Sequence, residues 1–386
     1  MLLVAMGVNL ASARVLGPSG RGEIALVLQA SYVLTAVLLL GRDRGLTVQR
    51  LDSDYLAVES IGLQRSLLRL PMVMIVPLTV AFSLLFFGAA TQAAIGGVLL
   101  ACLVALGMAT RMRRASAILT HDATELLRAI ATGQLLLLLS TFALYRLKVE
   151  LPAVWLAAYV LAGLPVVLPY LRIRADDSTD IDVKAVRHAG LRFLPTAMAE
   201  IALLRSERLL LPILATYASL GVYVVVATVT ELASWPGQQY ADSKSPVWAK
   251  ERPTGGVIWR EFFVVFGVTG LLTSILGLGA WLAIEPLFGS AFSSGRSLVL
   301  PLGLAAIGTA TYRLIFALAA SVGDAVAGAF LTLCGFLSAA VLYPLAIGLH
   351  GVEGAAWGSA AALLVSSFVG ACVLSRDPCR WVKDSG

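Results

Sequence analysis

Charge is scarce in this chain: only 13% of its 386 residues are Asp, Glu, Lys or Arg, about half the share of a water-soluble domain. With 59% apolar residues and a mean hydropathy of +0.87, the surplus hydrocarbon has no soluble core to hide in, which excludes a soluble globular protein. Histidine is nearly missing, with His121, His188 and His350 scattered. The four cysteines, Cys102, Cys334, Cys372 and Cys379, share no paired or CxxC spacing, which argues against a disulfide framework or a zinc site. Long polar stretches are lacking too. A spanning helix needs about 20 mostly apolar residues, so a chain of this length holds on the order of a dozen spans and leaves no room for an extramembrane catalytic domain. The expectation is an all-α polytopic membrane protein.

What is there is a series of twelve apolar segments, at roughly 2–16, 24–41, 69–88, 93–110, 129–146, 152–171, 191–215, 217–237, 262–288, 298–320, 325–348 and 352–375. The first is short: fifteen residues rise about 22 Å, against a hydrocarbon core of about 30 Å. Three readings stand: a true start further upstream, a span tilted into a thinned site, or a signal peptide over Met1 to Ala13 ending in Ala11-Ser12-Ala13. The last lacks the charged n-region that such peptides carry.

The formal charge of +6 resolves into a distribution. Arg supplies 24 and Lys 5 of the 29 basic residues. The connections after spans 2, 4, 6 and 8 and the C-terminal tail carry 21 of them: Arg42, Arg44, Arg50, Arg65 and Arg69; Arg111, Arg113, Arg114 and Arg128; Arg172, Arg174, Lys184, Arg187 and Arg192; Lys244, Lys250, Arg252 and Arg260; Arg376, Arg380 and Lys383. The odd-numbered connections hold only Arg14, Arg21, Arg146, Lys148 and Arg296. By the positive-inside rule both termini are cytoplasmic, and the basic excess reports topology rather than a nucleic-acid partner. Tryptophan agrees: Trp155, Trp281 and Trp357 fall at expected outer ends, and Trp235, Trp248, Trp259 and Trp381 at or near inner ones, the boundary position Trp prefers.

The halves of the chain are comparable. An offset of about 200 pairs Trp155 with Trp357, Ala153 with Ala355, Ala158 with Ala360, Leu161 with Leu363 and Gly22 with Gly221. Two six-helix lobes follow, 1–172 and 191–375, with 173–190 as a cytoplasmic linker and 376–386 as a tail. Because six is even, the lobes are parallel repeats about an axis along the membrane normal, with the substrate site expected between them.

Four motifs in order carry a family likeness. RVLGPSGRGEIALVLQASYVLTAVLLLG (14–41) resembles the end of span 1, the Gly-Pro-x-Gly-x-Gly hairpin and span 2 of the polysaccharide transporters in the multidrug/oligosaccharidyl-lipid/polysaccharide (MOP) flippase superfamily. LRFLPTAMAEIALLRSERLLLPILATYASLGVYVVVATVTEL (191–232) is similar to that family's spans 7 and 8 with a Leu-Gly-Val-Tyr turn. PLFGSAFSSGRSLVLPL (286–302) and HGVEGAAWGSAAALLVS (350–366) resemble its 9–10 connection and the entry to span 12. The resemblance covers most of the chain. Two departures stand out: family members usually have a longer span 1, and an Asp commonly occupies the position of Glu207. The resemblance implies a MATE-like fold and the export or flipping of a lipid-linked oligosaccharide, such as a polyprenyl-pyrophosphate glycan, by alternating access in a bacterial cytoplasmic membrane. It implies partners in glycan polymerase or glycosyltransferase machinery, no cofactor and no enzymatic activity.

Ionisable groups inside spans are costly and face a cavity or a partner. Span 7 holds four: Glu200, Arg205, Glu207 and Arg208. At about 100° per residue they share one arc of about 160°, and Arg205 lies roughly 20 Å from Arg192 at the inner edge, too deep for easy snorkelling. Glu231 in span 8 and Arg313 in span 10 are the partners within reach. In one reading Arg205, Arg208 and Arg313, with Arg14 from the outer end of span 1, contact an anionic head group, while Glu200, Glu207 and Glu231 balance charge or carry a coupling proton. In the other the charges form a purely structural ion-pair network holding the second lobe together.

Other motifs read as inert. Gly17, Gly20 and Gly22 flank Pro18 in a tight turn with Arg21 expected in solvent; the segment lacks the Lys-Ser/Thr of a P-loop. Asp176, Asp177 and Asp180 spell DDxxD without a second acidic motif and read as a solvated linker. Thr120-His121-Asp122 reads as surface. Alternatives to the glycan flippase keep the fold and change the cargo, as in a MATE-type antiporter or a lipid II flippase; a membrane enzyme of polysaccharide assembly fits worse, because the odd connections are only a few residues long.

Overall fold

The computed structural model describes residues 2–47, 57–87, 90–119, 123–172, 183–251, 253–322 and 325–376. Among them there is no strand. The helices are α1 (Leu2–Leu39), α2 (Arg42–Thr47), α3 (Ala57–Phe87), α4 (Ala90–Leu119), α5 (Thr124–Arg146), α6 (Pro152–Arg172), α7 (Val183–Leu214), α8 (Tyr217–Thr230), α9 (Trp235–Glu251), α10 (Gly255–Phe288), α11 (Val299–Val322), α12 (Ala325–Leu337) and α13 (Tyr343–Arg376). Nine stretches of the described residues are long and apolar enough to span a membrane. Two of these, Val4–Leu39 and Ala327–Arg376, each contain a break, at Gly17 and Gly351, and so supply two spans apiece. α7 is absent from the nine, and its four charges in nine residues account for that. Counted this way the twelve expected spans are all present.

The two breaks have a local cause. Gly17 sits at φ 66°, ψ −175° and Gly351 at φ 57°, ψ −132°, conformations that a Cβ makes costly. Pro18 reinforces the first, since it disfavours the helical region for the residue before it and is preset for the first turn of the helix that follows. Gly20 and Gly22 are instead helical, so only one of the three hairpin glycines is there for its φ. Gly22 serves a close approach: a Cβ on it would overlap the carbonyl oxygen of Tyr217, and one on Gly221 would overlap that of Pro18. Arg21, expected in solvent, is 5% exposed; the helix that Pro18 starts carries it inward. Leu220 to Tyr223, expected as a turn, lies inside α8 and is buried. The reversal before it is at Ala215 and Thr216, where the Thr216 hydroxyl accepts from the Ser219 N–H and caps α8.

The chain divides into two compact units: residues 1–16 with 23–198, and residues 17–22 with 199–386. The boundary falls inside α7 at Met198, not in a linker. The second half of the expected linker, 183–190, is the opening of α7, and 173–182 lies outside the described residues together with the DDxxD motif, His121 and Cys379.

In the first unit α3 packs on α4, α4 on α6 and α5 on α6. Val8 of α1 is buried against Leu137 and Ala158, and Gly107 of α4 leaves room for Thr35, whose hydroxyl donates to the Val104 carbonyl at 3.4 Å. Arg113 is nearly buried and donates to the Val166 carbonyl at 3.0 Å. In the second unit α11 is central, packed by α8, α9, α10 and α13.

Candidate functional site

The second unit gathers the charges of α7. Glu200, Glu207 and Arg208 are buried, with Glu207 only 1% exposed, and Arg205 is partly exposed. Two prolines shape the walls around them. Pro236, near the start of α9, cannot donate to the Leu232 carbonyl, and the helix tightens into a 3-10 turn at Glu231–Ser234, the break that carries Glu231. Pro344 also interrupts the helical hydrogen bonding before it, but there the backbone widens to a π turn at Ser338–Leu342, and the following Tyr343 donates its hydroxyl to the Leu203 carbonyl of α7 at 2.6 Å.

Arg208 is the hub. Its Nε lies 3.2 Å from Glu207 Oε1, its Nη2 pairs with Glu231 Oε1, and its guanidinium stands 5.7 Å from the centre of the Tyr223 ring. Arg205 reaches the same Glu231 oxygen at 4.0 Å. Arg313 of α11 pairs with Glu200 at 3.2 Å. Tyr223 donates a long hydrogen bond to Glu207 Oε1 at 3.5 Å. Glu207 Oε2 is inaccessible and has no hydrogen-bond partner. A carboxylate oxygen left in that state is expensive, so the position calls for a proton or a water.

Arg205, Glu207, Arg208, Tyr223, Glu231 and Arg313 line a cavity of about 100 Å³, with Gln238, Thr309 and Ser359 adding neutral polar surface, while Glu200 stands behind Arg313 as its ion-pair partner. That volume suits a few water molecules and falls below the range of about 300 to 1,000 Å³ that takes a small organic ligand. A sugar does not fit in it; a phosphate oxygen or a proton does. Arg205 and Arg313, 27% and 38% exposed at the side chain, stand nearer to solvent than Arg208.

Of the residues expected from sequence, Arg205, Arg208, Arg313, Glu200, Glu207 and Glu231 come together here. Arg14 does not: it lies exposed on α1 in the first unit and is not among the residues lining this cavity. Sequence reading missed Tyr223, Tyr343 and Ser359. Their signal is weak but real, a hydroxyl in the middle of an apolar helix that needs a partner there. No metal-ligating cluster of His, Cys, Asp and Glu occurs among the described residues.

No protein-family profile and no curated protein matches the sequence. Solved structures do. The chain is similar over its full length to a multidrug resistance MATE family transporter of the MOP superfamily in an inward-facing conformation, with a TM-score of 0.73, 17% identity and 96% of that chain covered. It is similar over 97% of its length to the lipid II flippase MurJ in an inward closed conformation, with a TM-score of 0.62, 9% identity and 84% of that chain covered. A Vibrio cholerae MATE transporter aligns with 98% of the chain and 94% of its own length, at a TM-score of 0.53 and 14% identity. Helical and strand-free over its described residues, and aligned with these proteins over 97% or more of its length, the chain has a MATE-like fold.

Proposed function

We propose that this chain is a transporter that moves an anionic, lipid-linked saccharide precursor, of the polyprenyl-pyrophosphate class, across a bacterial cytoplasmic membrane by alternating access. The neighbours in fold are transporters and a flippase, which supports transport. The observation that carries the cargo class is the set of three arginines in the spans of the second unit, two of them partly accessible. Fixed guanidinium groups suit phosphate, which they bind in a bidentate fork, and they disfavour the cations that a drug antiporter would carry. Arg205 and Arg313 are the cargo contacts, and a pyrophosphate oxygen replaces Glu231 or Glu200 as their partner. Arg208 stays paired and sets the positions of the rest. Glu207 Oε2 is where a coupling proton would sit.

The cavity volume limits the part of the cargo that enters to the phosphate. The test uses vesicles holding the purified protein and a fluorescent, short-chain polyprenyl-pyrophosphate disaccharide, with flipping read as the fraction open to an external glycosidase. Arg205→Gln and Arg313→Gln each lower the flipping rate at least about tenfold, the weight of one charge-assisted hydrogen bond, with the protein still monodisperse. Unchanged rates in both variants would remove the arginines from the cargo path. On the lipid II reading the wild type flips lipid II and leaves the disaccharide lipid unflipped, and the same two variants slow the flipping of lipid II.

A further inference from the structure

A second cavity in this unit lies away from the charged cluster, between α10 and α11. It has a volume of about 540 Å³ and is lined by Gly270, Ser274 and Gly277 from α10, by Gly303 and Ile307 from α11, and at one end by Trp281 and Arg296. Small residues of α10 leave the hollow, and Gly303 of α11 lets Thr273 come close, since a Cβ on it would lie 2.7 Å from Thr273 Cγ2. A Cβ on Gly277 would meet nothing closer than Val299 Cγ1 at 3.4 Å, and one on Gly270 nothing closer than Ile307 Cδ1 at 3.9 Å. Leu271, Ile275, Leu278, Leu282 and Leu300 around it are all more than half exposed, so the groove opens on a bare apolar face in a chain built to span a membrane. The solvent of that face is hydrocarbon.

Length and charge define the occupant. From Gly270 to Trp281 is about 16 Å of helix, half of the hydrocarbon thickness of about 30 Å, so the groove is one leaflet deep. With Trp281 at a membrane boundary, the position Trp prefers, the groove runs from there toward mid-membrane, at the opposite end of α10 from Arg260. At its mouth Arg296 and Glu285 form an ion pair of 3.0 Å, both partly exposed. Arg296 Nε donates to the Trp281 carbonyl at 3.3 Å, and its guanidinium stands 5.3 Å from the Trp281 ring centre. The Nη1 donors remain, beside a carboxylate with room for a further donor. One cation and one anion together match a head group that carries both signs.

We propose that this groove binds one phospholipid with a zwitterionic, amine-bearing head group of the phosphatidylethanolamine type. One acyl chain fills the hollow between α10 and α11, the phosphate accepts from Arg296, and the ammonium donates to Glu285. A purely anionic lipid meets the Glu285 carboxylate, and a choline head group has no N–H to give it.

The test is lipid retention. The full chain is reconstituted in nanodiscs of equal parts phosphatidylethanolamine, phosphatidylglycerol and phosphatidylcholine, then extracted in mild detergent and examined by native mass spectrometry. The wild type keeps one phosphatidylethanolamine, enriched about tenfold over the other two, the weight of one charge-assisted hydrogen bond. Glu285→Gln keeps a lipid and loses the preference. Gly277→Leu, which fills the hollow, loses the lipid. Retention in the bulk ratio by the wild type, or an unchanged preference in Glu285→Gln, overturns the head-group assignment. If Gly277→Leu does not fold, a phosphatidylethanolamine with a photoreactive acyl chain decides on the wild type. Adducts on 273–278 and 303–307 uphold the groove, and adducts spread evenly over α5, α6 and α10 overturn it.

Discussion

Replacing Arg208 by Met keeps the volume and removes the charge. It strands Glu207, 1% exposed, with a single long hydrogen bond from Tyr223, and leaves Glu231 to Arg205 at 4.0 Å. Breaking a buried pair from one side costs about 3 to 5 kcal/mol, because an uncompensated charge stays behind. At about 2 °C per kcal/mol for a large domain, the melting temperature falls by roughly 6 to 10 °C. The double variant Arg208→Met with Glu207→Gln removes the stranded charge and recovers more than half of that loss, so the two changes couple by well over 1 kcal/mol. Arg205→Met, a partly solvated pair at 4.0 Å, costs about 1 kcal/mol or less. Melting followed by intrinsic fluorescence in one detergent reads all three. A single Arg208 variant that melts with the wild type, or a double variant no better than the single, refutes the view that Arg208 neutralises buried carboxylates.

Three further expectations rest on burial and on the space around two glycines. In a cysteine-free background, Cys at 205 and 313 reacts with a small water-soluble thiol reagent at least about tenfold faster than Cys at 207 and 208, because the side chains of the first pair are 27% and 38% exposed and those of the second 2% and 6%; equal rates would contradict the burial described. Gly221→Ala lowers the melting temperature by the cost of overpacking, about 1 to 3 kcal/mol, since its Cβ would run into the Pro18 carbonyl. Gly279→Ala, with nothing within 4 Å of the new methyl, is neutral or gains up to about 1 kcal/mol of helix propensity.

Apolar runs made the spans readable, and they also set what could be missed. Hydrophobicity reports depth in a bilayer and not helicity. The segment 217–237 was therefore readable as a span, while its polar continuation through α9 to Glu251, rich in Gln, Asp, Ser and Lys, was not. α7 begins at Val183 for the same reason, inside what reads as a linker. The six charges of the site were visible because each is an exception in its apolar setting, and helical spacing placed four of them on one arc. Tyr343 was hard to place, because its approach to Leu203 depends on a π turn whose only marks in the sequence are Pro344 and the hydroxyl itself. The glycines divide in the same way. Gly17 beside Pro18 declares a turn, whereas Gly22 and Gly221 declare nothing until their backbones are seen to touch.

The six charges of the second unit, three arginines and three glutamates, sum to zero when all are ionised. In the membrane electric field a charge displaced across the whole span does work of about 2.3 kcal/mol per 100 mV, and a neutral set does none. A proton on Glu207 makes the set +1. That proton therefore adds one unit charge to what this cluster contributes to the voltage dependence of the empty protein, and any additional dependence with cargo bound belongs to the cargo.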